Sequence, residues 1–461
     1  MEPKDLRFGG GTSATALHPL VAIAMLLAIA LILFLPRKYT CVPLLLGTFM
    51  IPLGQVVVLA GIHFTVLRIL IIAGLVRRLS GRKAEKFSGG FNHIDRYTVL
   101  WTLVAFAVFS VQWMQAQATI EALGDLLDRV GGFLALRFMI QDGGDVKRVI
   151  KVFAVLCLIL GMFMLYEQFT VRNLFGLLGG ISLVPQIRNG QIRSQGAFGS
   201  YIDAGVFAGI LIPLFIWLWT RDRSSRGIGV LGIIGATTMV LTCHASTALL
   251  AYASGLLGFG FWCLRQRMRN VRWALVSVLT ALHLVMKAPV WALIARVDLT
   301  GSSSSYHRYY LVDNCIRHLW DWWLLGTRVY DTWGWDMWDL SDQYVACALT
   351  GGLATLALFI AILSRSFAGI GKARRLVEGN KREEWLLWCL GSTMFAMLVA
   401  YFGCSFMAQM QMELFAFLAM ISVAISEARR IARPKAVAAQ NSSLTPKVQS
   451  AAVEVLVGGT R

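Results

Sequence analysis

Charge is scarce in this chain: only 15% of its 461 residues are Asp, Glu, Lys or Arg. Soluble domains carry about 25%, so a conventional water-exposed globule is excluded. Acidic residues are the scarcer sign, 25 against 43 Lys and Arg, and the formal charge is +18. A nucleic-acid binder with that charge would gather its basic residues on one face or in one tract. Here they fall in short clusters between apolar runs, and no nucleic-acid partner is expected. Several chemical signatures are missing. There is no phosphate-cradling GxxxxGK[ST] loop, no HExxH, no paired CxxC and no GxSxG elbow, which removes P-loop hydrolases and zinc peptidases. The eight cysteines are scattered. Most, such as Cys157, Cys263 and Cys389, sit in apolar runs as small hydrophobes, and Cys315 lies in a polar stretch with no evident partner. Neither a disulfide framework nor a zinc site is expected.

What the chain has in abundance is apolar sequence, 57% of all residues. It comes in runs of about 18–22 residues, the length that crosses about 30 Å of hydrocarbon. Lipid offers the backbone no hydrogen-bond partner, so such runs must be helices. The fold class expected is therefore an all-α polytopic membrane protein. Spans are placed at 18–36, 41–61, 64–79, 97–116, 119–140, 149–168, 201–220, 227–243, 246–264, 273–287, 343–363, 386–403 and 405–427. The 41–61 run holds Pro43, Pro52, Gly54 and Gln55 and reads as a broken or re-entrant element, which leaves 12 or 13 crossings. The first run, Leu17 to Pro36, is long and lacks a small-residue cleavage site, so it reads as a retained helix.

Basic clusters after alternate runs fix the orientation: Arg77, Arg78, Arg82, Lys83 and Lys86; Arg221, Arg223 and Arg226; Arg265, Arg267, Arg269 and Arg272; Arg365, Lys372, Arg374, Arg375, Lys381 and Arg382; Arg429, Arg430, Arg433 and Lys435. The chain then divides into a tail (1–17), an N-terminal helical block (18–168), a first external loop (169–200), a central block (201–287), a long external loop (288–342), a C-terminal block (343–427) and a cytoplasmic, irregular tail (428–461). Twelve crossings would put the N-terminus inside and thirteen outside.

The 288–342 loop is far longer than an ordinary connection and too aromatic for disorder. It contains Trp320, Trp322, Trp323, Trp333, Trp335 and Trp338 with Tyr306, Tyr309, Tyr310 and Tyr330. Helices lying at the membrane surface would explain these rings, and aromatic faces also suit sugar rings. Arginines stand on the external side against the usual bias: Arg188, Arg193 and Arg308. A guanidinium keeps its charge and binds phosphate bidentately. Asp336, Asp339 and Asp342 recur at helical spacing and would share a face, as a cation site or a source of a general base. Asp342 opens the next span, where desolvation would raise its pKa. Glu121, Asp125, Asp128 and Arg129 interrupt an apolar run, as do Arg68 and Arg137; charges there face a bundle interior by default, though the two arginines can also snorkel.

Three motifs give these residues a context. They are Arg193-Ser-Gln-Gly-Ala-Phe-Gly before a span, Thr242-Cys-His-Ala-Ser-Thr-Ala-Leu-Leu-Ala between two spans, and His307-Arg308 followed by Leu325-Gly326, Asp342-Gln343-Tyr344 and Gly351-Gly352-Leu353. In that order they resemble the O-antigen ligase and Wzy-type polysaccharide polymerase superfamily over roughly residues 185–365. The resemblance implies a bacterial inner-membrane glycosyltransferase of GT-C type, needing no metal and no cofactor. It would move a glycan from undecaprenyl diphosphate to an acceptor glycan at the periplasmic face. A flippase and a chain-length regulator would be partners besides membrane lipids. Arg193 and Arg308, joined by Arg188, would hold the donor diphosphate. Asp342 or His307 would act as base, and Gly196, Gln195, Tyr344, Glu121, Asp125 and Trp333 would line the groove. Where the ligases carry His-Asn this chain has Asp342-Gln343, and Ser200-Tyr201-Ile202-Asp203 replaces a Pro-Asn. The first departure makes the chain resemble the exopolysaccharide polymerases of the superfamily more than the lipid A–core ligases. The alternatives are a ligase acting on a lipid or protein acceptor, and a transporter or flippase.

Overall fold

The computed structural model describes residues 15–457 apart from Ala60, 81–86, 297–304, Trp335 and 406–407, with side chains no further than residue 432. Arg82, Lys83, Lys86, Trp335 and residues 1–14 of the N-terminal tail thus lie outside the described residues. The chain is a helical bundle. It runs α1 (Pro19–Phe34), α2 (Cys41–Met50), a hairpin of β1 (Val56–Leu59) and β2 (Ile62–Thr65), α3 (Val66–Ser80), α4 (His93–Trp113), α5 (Ala116–Leu126), α6 (Gly132–Met139) and α7 (Gly143–Thr170). A second hairpin, β3 (Gln186–Arg188) and β4 (Gln191–Arg193), precedes α8 (Tyr201–Arg221), α9 (Arg226–Thr242), α10 (Ser246–Gly260) and α11 (Met268–Val285). The last part holds α12 (Ser305–Arg317), α13 (Leu319–Trp322), α14 (Gln343–Leu376), α15 (Lys381–Ala400) and α16 (Ala408–Val457).

Local chemistry starts these helices. Asn92 and Asp95 form a reciprocal capping box at α4. Asp142, Ser200 and Asp342 cap α7, α8 and α14 through their side chains. Each satisfies backbone N–H groups that a helix start leaves without partners.

The all-α polytopic reading holds, but the span lengths differ from those expected. Among the described residues seven helices are long and apolar enough to cross a membrane, or eight if α11 and the turn Val290–Arg296, bent by 92°, count as one. The other expected spans are shorter or interrupted. α1 has 16 residues and α3 has 15. α2 stops at Met50 just before Pro52, and the 41–61 run ends in the first hairpin, as its prolines suggested. The 119–140 run is broken by a π-helical turn at Leu127–Gly131. α15 begins on Lys381, Arg382, Glu383 and Glu384, which shorten its apolar part. α16 continues to Val457 through the stretch read as an irregular tail, a sequence rich in Ala and free of Gly up to Gly458.

The two ends of the bundle differ chemically. One gathers the basic clusters: Arg37 with Asp142 and Asp145, Lys147 with Asp222, Arg265 and Arg374 with Glu384. The other gathers the loops. The start of α1 belongs to this loop end, because His18 N–H donates to Gln55 Oε1 while Gln55 Nε2 donates to the Leu178 and Gly179 carbonyls. The far end of α1 is tied to the basic end by Arg77, which donates to the Ile32 and Leu33 carbonyls. An odd number of passes connects this start to the basic end of α16, the topology left open between 12 and 13.

α8 and α16 form the core of the bundle, with 83% and 89% of their apolar windows buried. Small residues let neighbours close on them, as expected where apolar lipid supplies no hydrophobic drive. A Cβ on Gly205 of α8 would sit 2.3 Å from Cys243 Sγ, and one on Gly235 of α9 would sit 2.4 Å from the Leu158 nitrogen of α7. The arginines inside apolar runs are paired and do not snorkel. Arg137 meets Asp95 at 3.1 Å with both side chains fully buried, and Arg68 grips Asp128 through two bonds of 3.0 and 2.7 Å.

The long aromatic loop folds, as expected, into short helices around a core of its own, including Leu311, Cys315, Trp322, Met337 and Leu349. It docks on a kink in α14. Gly352 there has φ +68°, and its Cβ would meet the Leu324 carbonyl at 2.5 Å. A Cβ on Gly326, also at positive φ, would meet the Leu349 carbonyl at 2.2 Å. Two backbone bonds seal the contact, Thr327 N–H to Leu349 O and Leu353 N–H to Trp323 O. Only glycine fits both positions without strain. We therefore expect Gly352→Ala to destabilise the protein by about 1–3 kcal/mol. Its unfolding midpoint in detergent, followed by intrinsic tryptophan fluorescence, would fall; an unchanged midpoint would show that the kink is not a constraint.

Candidate functional site

The site begins with a hairpin. Asn189 and Gly190 both have positive φ, the geometry of a two-residue turn that matches strand twist. The β3–β4 register pairs Gln186 with Arg193 and Arg188 with Gln191. Arg188 stands exposed near the turn, whereas Arg193 at the other end is 3% exposed. The hairpin thus separates two arginines that the sequence grouped.

After Arg193 the chain folds into the bundle and is held there by a buried carboxylate. Glu167, near the end of α7, accepts the Gln195 and Gly196 N–H groups at 3.0–3.2 Å. Asn173 donates to the Gly196 carbonyl at 2.8 Å, and Ser194 N–H donates to the Thr242 carbonyl at 3.1 Å. Gln195 and Gly196 therefore shape the loop that aims Arg193. Two motifs distant in sequence, the 193–199 loop and the Thr242–Ala245 turn, are brought together. Arg193 lies 4.7 Å over the Tyr201 ring, and its guanidinium donates to the Tyr201 hydroxyl.

Arg308 arrives from α12 and is 8% exposed. Among the described residues it forms no ion pair and no hydrogen bond, and its buried Nε has no partner. Arg68, Arg137, Arg265 and Arg374, by contrast, all meet carboxylates. Burial pulls the Arg308 pKa below its ordinary value, against the nearby Cys404, Tyr201, Asp342 and Asp339. The group stays a guanidinium at any relevant pH. Tyr201 is thus bordered by both buried arginines. Gly403 makes room for Arg308: a Cβ there would approach its Nε to 3.0 Å and Thr247 Oγ1 to 2.7 Å. Arg308 also lines a cleft of about 140 Å³, with Thr247 and the apolar side chains of Leu250, Ile294, Val399 and Phe402.

Asp342 completes the group. Its Oδ1 accepts the Tyr344 and Val345 N–H groups at 2.8 and 3.0 Å, while Oδ2 is buried without a partner among the described residues. Complete burial pushes its pKa up to about 7, although the two N–H groups and Arg308 pull it down. Asp336, Asp339 and Asp342 do not share a helix face as their spacing suggested. Asp336 takes positive φ in a turn after Gly334, and only Asp342 reaches a helix, as its cap. His307, beside Arg308 in sequence, is buried with Nε2 at 3.1 Å from the Asp339 carbonyl.

The remaining candidates are spread out. Tyr344 packs on Phe402 and donates to the Leu398 carbonyl at 3.0 Å. Trp333 stacks on His318 with ring centres 4.3 Å apart. Glu121 and Asp125 are exposed on α5, Asp125 lying 3.8 Å from Arg129. Among the described residues no three of His, Cys, Asp and Glu gather as a metal-ligand set. Sequence reasoning passed over Tyr201, Glu167 and Gly403. In the sequence Tyr201 stands out only as part of a departure from a motif, and a glutamate inside an apolar helix is the available signal for Glu167.

Neither a family model nor a curated protein matches this sequence. Fold and site together define a multi-pass membrane protein with a buried cationic site at the loop end of its bundle.

Glu167 is the organiser of that site that a mutation can remove most cleanly. Glu167→Ala leaves two buried N–H groups without an acceptor, at about 1–3 kcal/mol. In a Cys263→Ser background, a Gln195→Cys reporter should then react faster with a maleimide. Equal labelling rates with and without Glu167 would show that the loop is held by other means.

Proposed function

We propose that this chain is a glycan polymerase of the bacterial inner membrane. It transfers a glycan from a polyprenyl-diphosphate donor to the hydroxyl of an acceptor glycan, with inversion, at the periplasmic face. The carrying observation is Arg308, a buried guanidinium with no carboxylate partner among the described residues, which shares Tyr201 as a neighbour with Arg193 and opens on a partly apolar cleft. A buried charge requires compensation, and an anion with an apolar tail matches both the charge and the cleft. The gathering of basic clusters at the opposite end of the bundle supports a periplasmic position for the loop end.

In this reading the diphosphate lies against Arg308 and Arg193, with Tyr201 steadying the second. Asp342 Oδ2 takes the proton of the acceptor hydroxyl. The freed oxygen attacks the anomeric carbon of the donor, and the bond from that carbon to the phosphate oxygen breaks with its electron pair. The added charge on the leaving diphosphate falls on the two guanidiniums, which are placed before the reaction starts. Asp342 suits the base role because one oxygen is fixed by the helix start while the other is open to a proton. The aromatic loop that presents Arg308 offers exposed rings, among them Trp320, Trp338 and Tyr306, on which sugars can stack.

Two measurements test this reading. Arg308→Ala should lower polymer formation about a hundredfold or more at equal membrane expression, and Arg308→Lys should restore only part of it, since lysine lacks the fork. Wild-type polymer length in Arg308→Ala would remove the proposal. The second is a pH profile. The base must be ionised, so with a pKa of about 7 the rate should rise with pH through neutrality and level off above it. Asp342→Asn should lower the rate by about a hundred- to ten-thousandfold and abolish that limb; an unchanged limb would move the base elsewhere.

A further inference from the structure

Behind the arginine site, inside the bundle, lies a second set of polar groups that the proposed chemistry does not use. Glu413, in the first part of α16, is fully buried, and neither carboxyl oxygen has a hydrogen-bond partner among the described residues. Asp203, in the first turn of α8, is 4% exposed and its Oδ2 likewise has none. The two lie within electrostatic range of each other, and Cys404 lies within range of both and of Arg308. One helical turn before Glu413, on the same face of α16, Gln409 presents another orphan. Its Nε2 donates to the Thr48 and Ala197 carbonyls, while its buried Oε1 accepts nothing.

These four atoms are all acceptors, and the Tyr401 hydroxyl facing Glu413 can supply at most one donor, so the cluster is short of donors. Two ionised carboxylates here would be buried like charges without hydrogen bonds, at a cost of many kcal/mol, and such groups neutralise instead. The titratable groups facing Glu413 offer no cation to replace a proton. They are Asp203 on α8, Tyr401 and Cys404 after α15, and Cys157 on α7. Helices α2, α6 and α14 also pack on α16, and Arg137 of α6 is held by Asp95. Arg308 lies beyond Cys404 and pairs with neither carboxyl.

We propose that Asp203 and Glu413 form a proton-binding site in the bundle interior, each carboxyl holding one proton and the Glu413 O–H directed to Gln409 Oε1. The occupied site is neutral. It leaves the positive charge of the arginine site uncompensated from behind, so that charge is available to a ligand arriving through the loop end. The assignment of a proton does not depend on what that ligand is.

Infrared spectroscopy of the whole protein in lipid at neutral pH tests this directly. The wild-type minus Glu413→Gln difference spectrum should contain a carboxylic-acid C=O band that shifts in heavy water. Asp203→Asn should leave a Glu413 acid band but move it, because the neighbouring carboxyl is gone. Loss of only ionised-carboxylate bands in Glu413→Gln would overturn the proposal. So would an acid band that sodium or potassium ions titrate away at constant pH, since the site would then take a metal cation. Failure of Arg308→Ala to affect polymer formation would bear on the glycan chemistry and leave these bands unchanged.

Discussion

Everything at the loop end of this bundle follows from the cost of placing a guanidinium in a dry interior. The protein meets that cost in the usual way at several points. Arg137 lies on Asp95, Arg68 is gripped by Asp128, and Arg374 meets Glu384. Each pair ties one apolar helix to another where unpaired charge would open the bundle. Arg308 is built differently. Glycine at 403 clears space for it, helix α12 carries it inward, and the nearest carboxyl, Asp342, stops short of an ion pair. A folded protein keeps an arrangement of that kind where something outside the chain completes it. That inference concerns charge and space alone, and the chemical identity of the ligand is a separate step.

Arg193 shows the complementary device. Its position is set by the backbone bonds that hold its loop. Glu167 fixes Gln195 and Gly196 through their N–H groups and Asn173 the carbonyl of Gly196, while the neighbouring turn receives the Ser194 N–H. A carboxylate that accepts backbone N–H groups is itself satisfied and leaves the guanidinium's charge unspent. Stacking on Tyr201 restricts the arginine without neutralising it. The two arginines are thus placed by different means, Arg308 by the space that Gly403 clears and Arg193 by a loop held through backbone bonds.

Much of this was legible in the sequence because membrane helices announce themselves by length and by the placement of Lys and Arg. The broken character of 41–61 was legible from Pro52, and the folded loop from its tryptophans. Two kinds of feature were not. Asp336 and Asp339 matched Asp342 at helical spacing, yet Gly334 and the turn at Asp336 end that periodicity, which spacing alone does not report. Span number also misled where polar sequence enters a helix, as at Lys381–Glu384 or Leu127–Gly131. There the pass is made, but in pieces too short or too polar to qualify as a span. Arg188 and Arg193 stand five residues apart in one external loop, with Arg193 the stronger candidate. The Asn189-Gly190 turn between them puts one outside and one inside, which their spacing alone does not report.

The three buried carboxyls near the arginines differ in ways that assign them different work. Glu167 has donors for both oxygens, so it is a strut and has no oxygen left for chemistry. Asp342 has donors for one oxygen and none for the second among the described residues, and it sits at a helix start within electrostatic range of Arg308. Glu413 has no donor at all and lies deep in α16, where the charged form is least tolerable. Ranked by the oxygens that N–H groups reach, the series runs from Glu167 with both engaged, through Asp342 with one, to Glu413 with neither. The same residue chemistry is thus separated into three roles by how many of its oxygens meet a donor. That is why the proposed reaction uses Asp342 and not His307 as base: the His307 Nε2 already meets the Asp339 carbonyl, whereas Asp342 keeps one oxygen without a donor among the described residues.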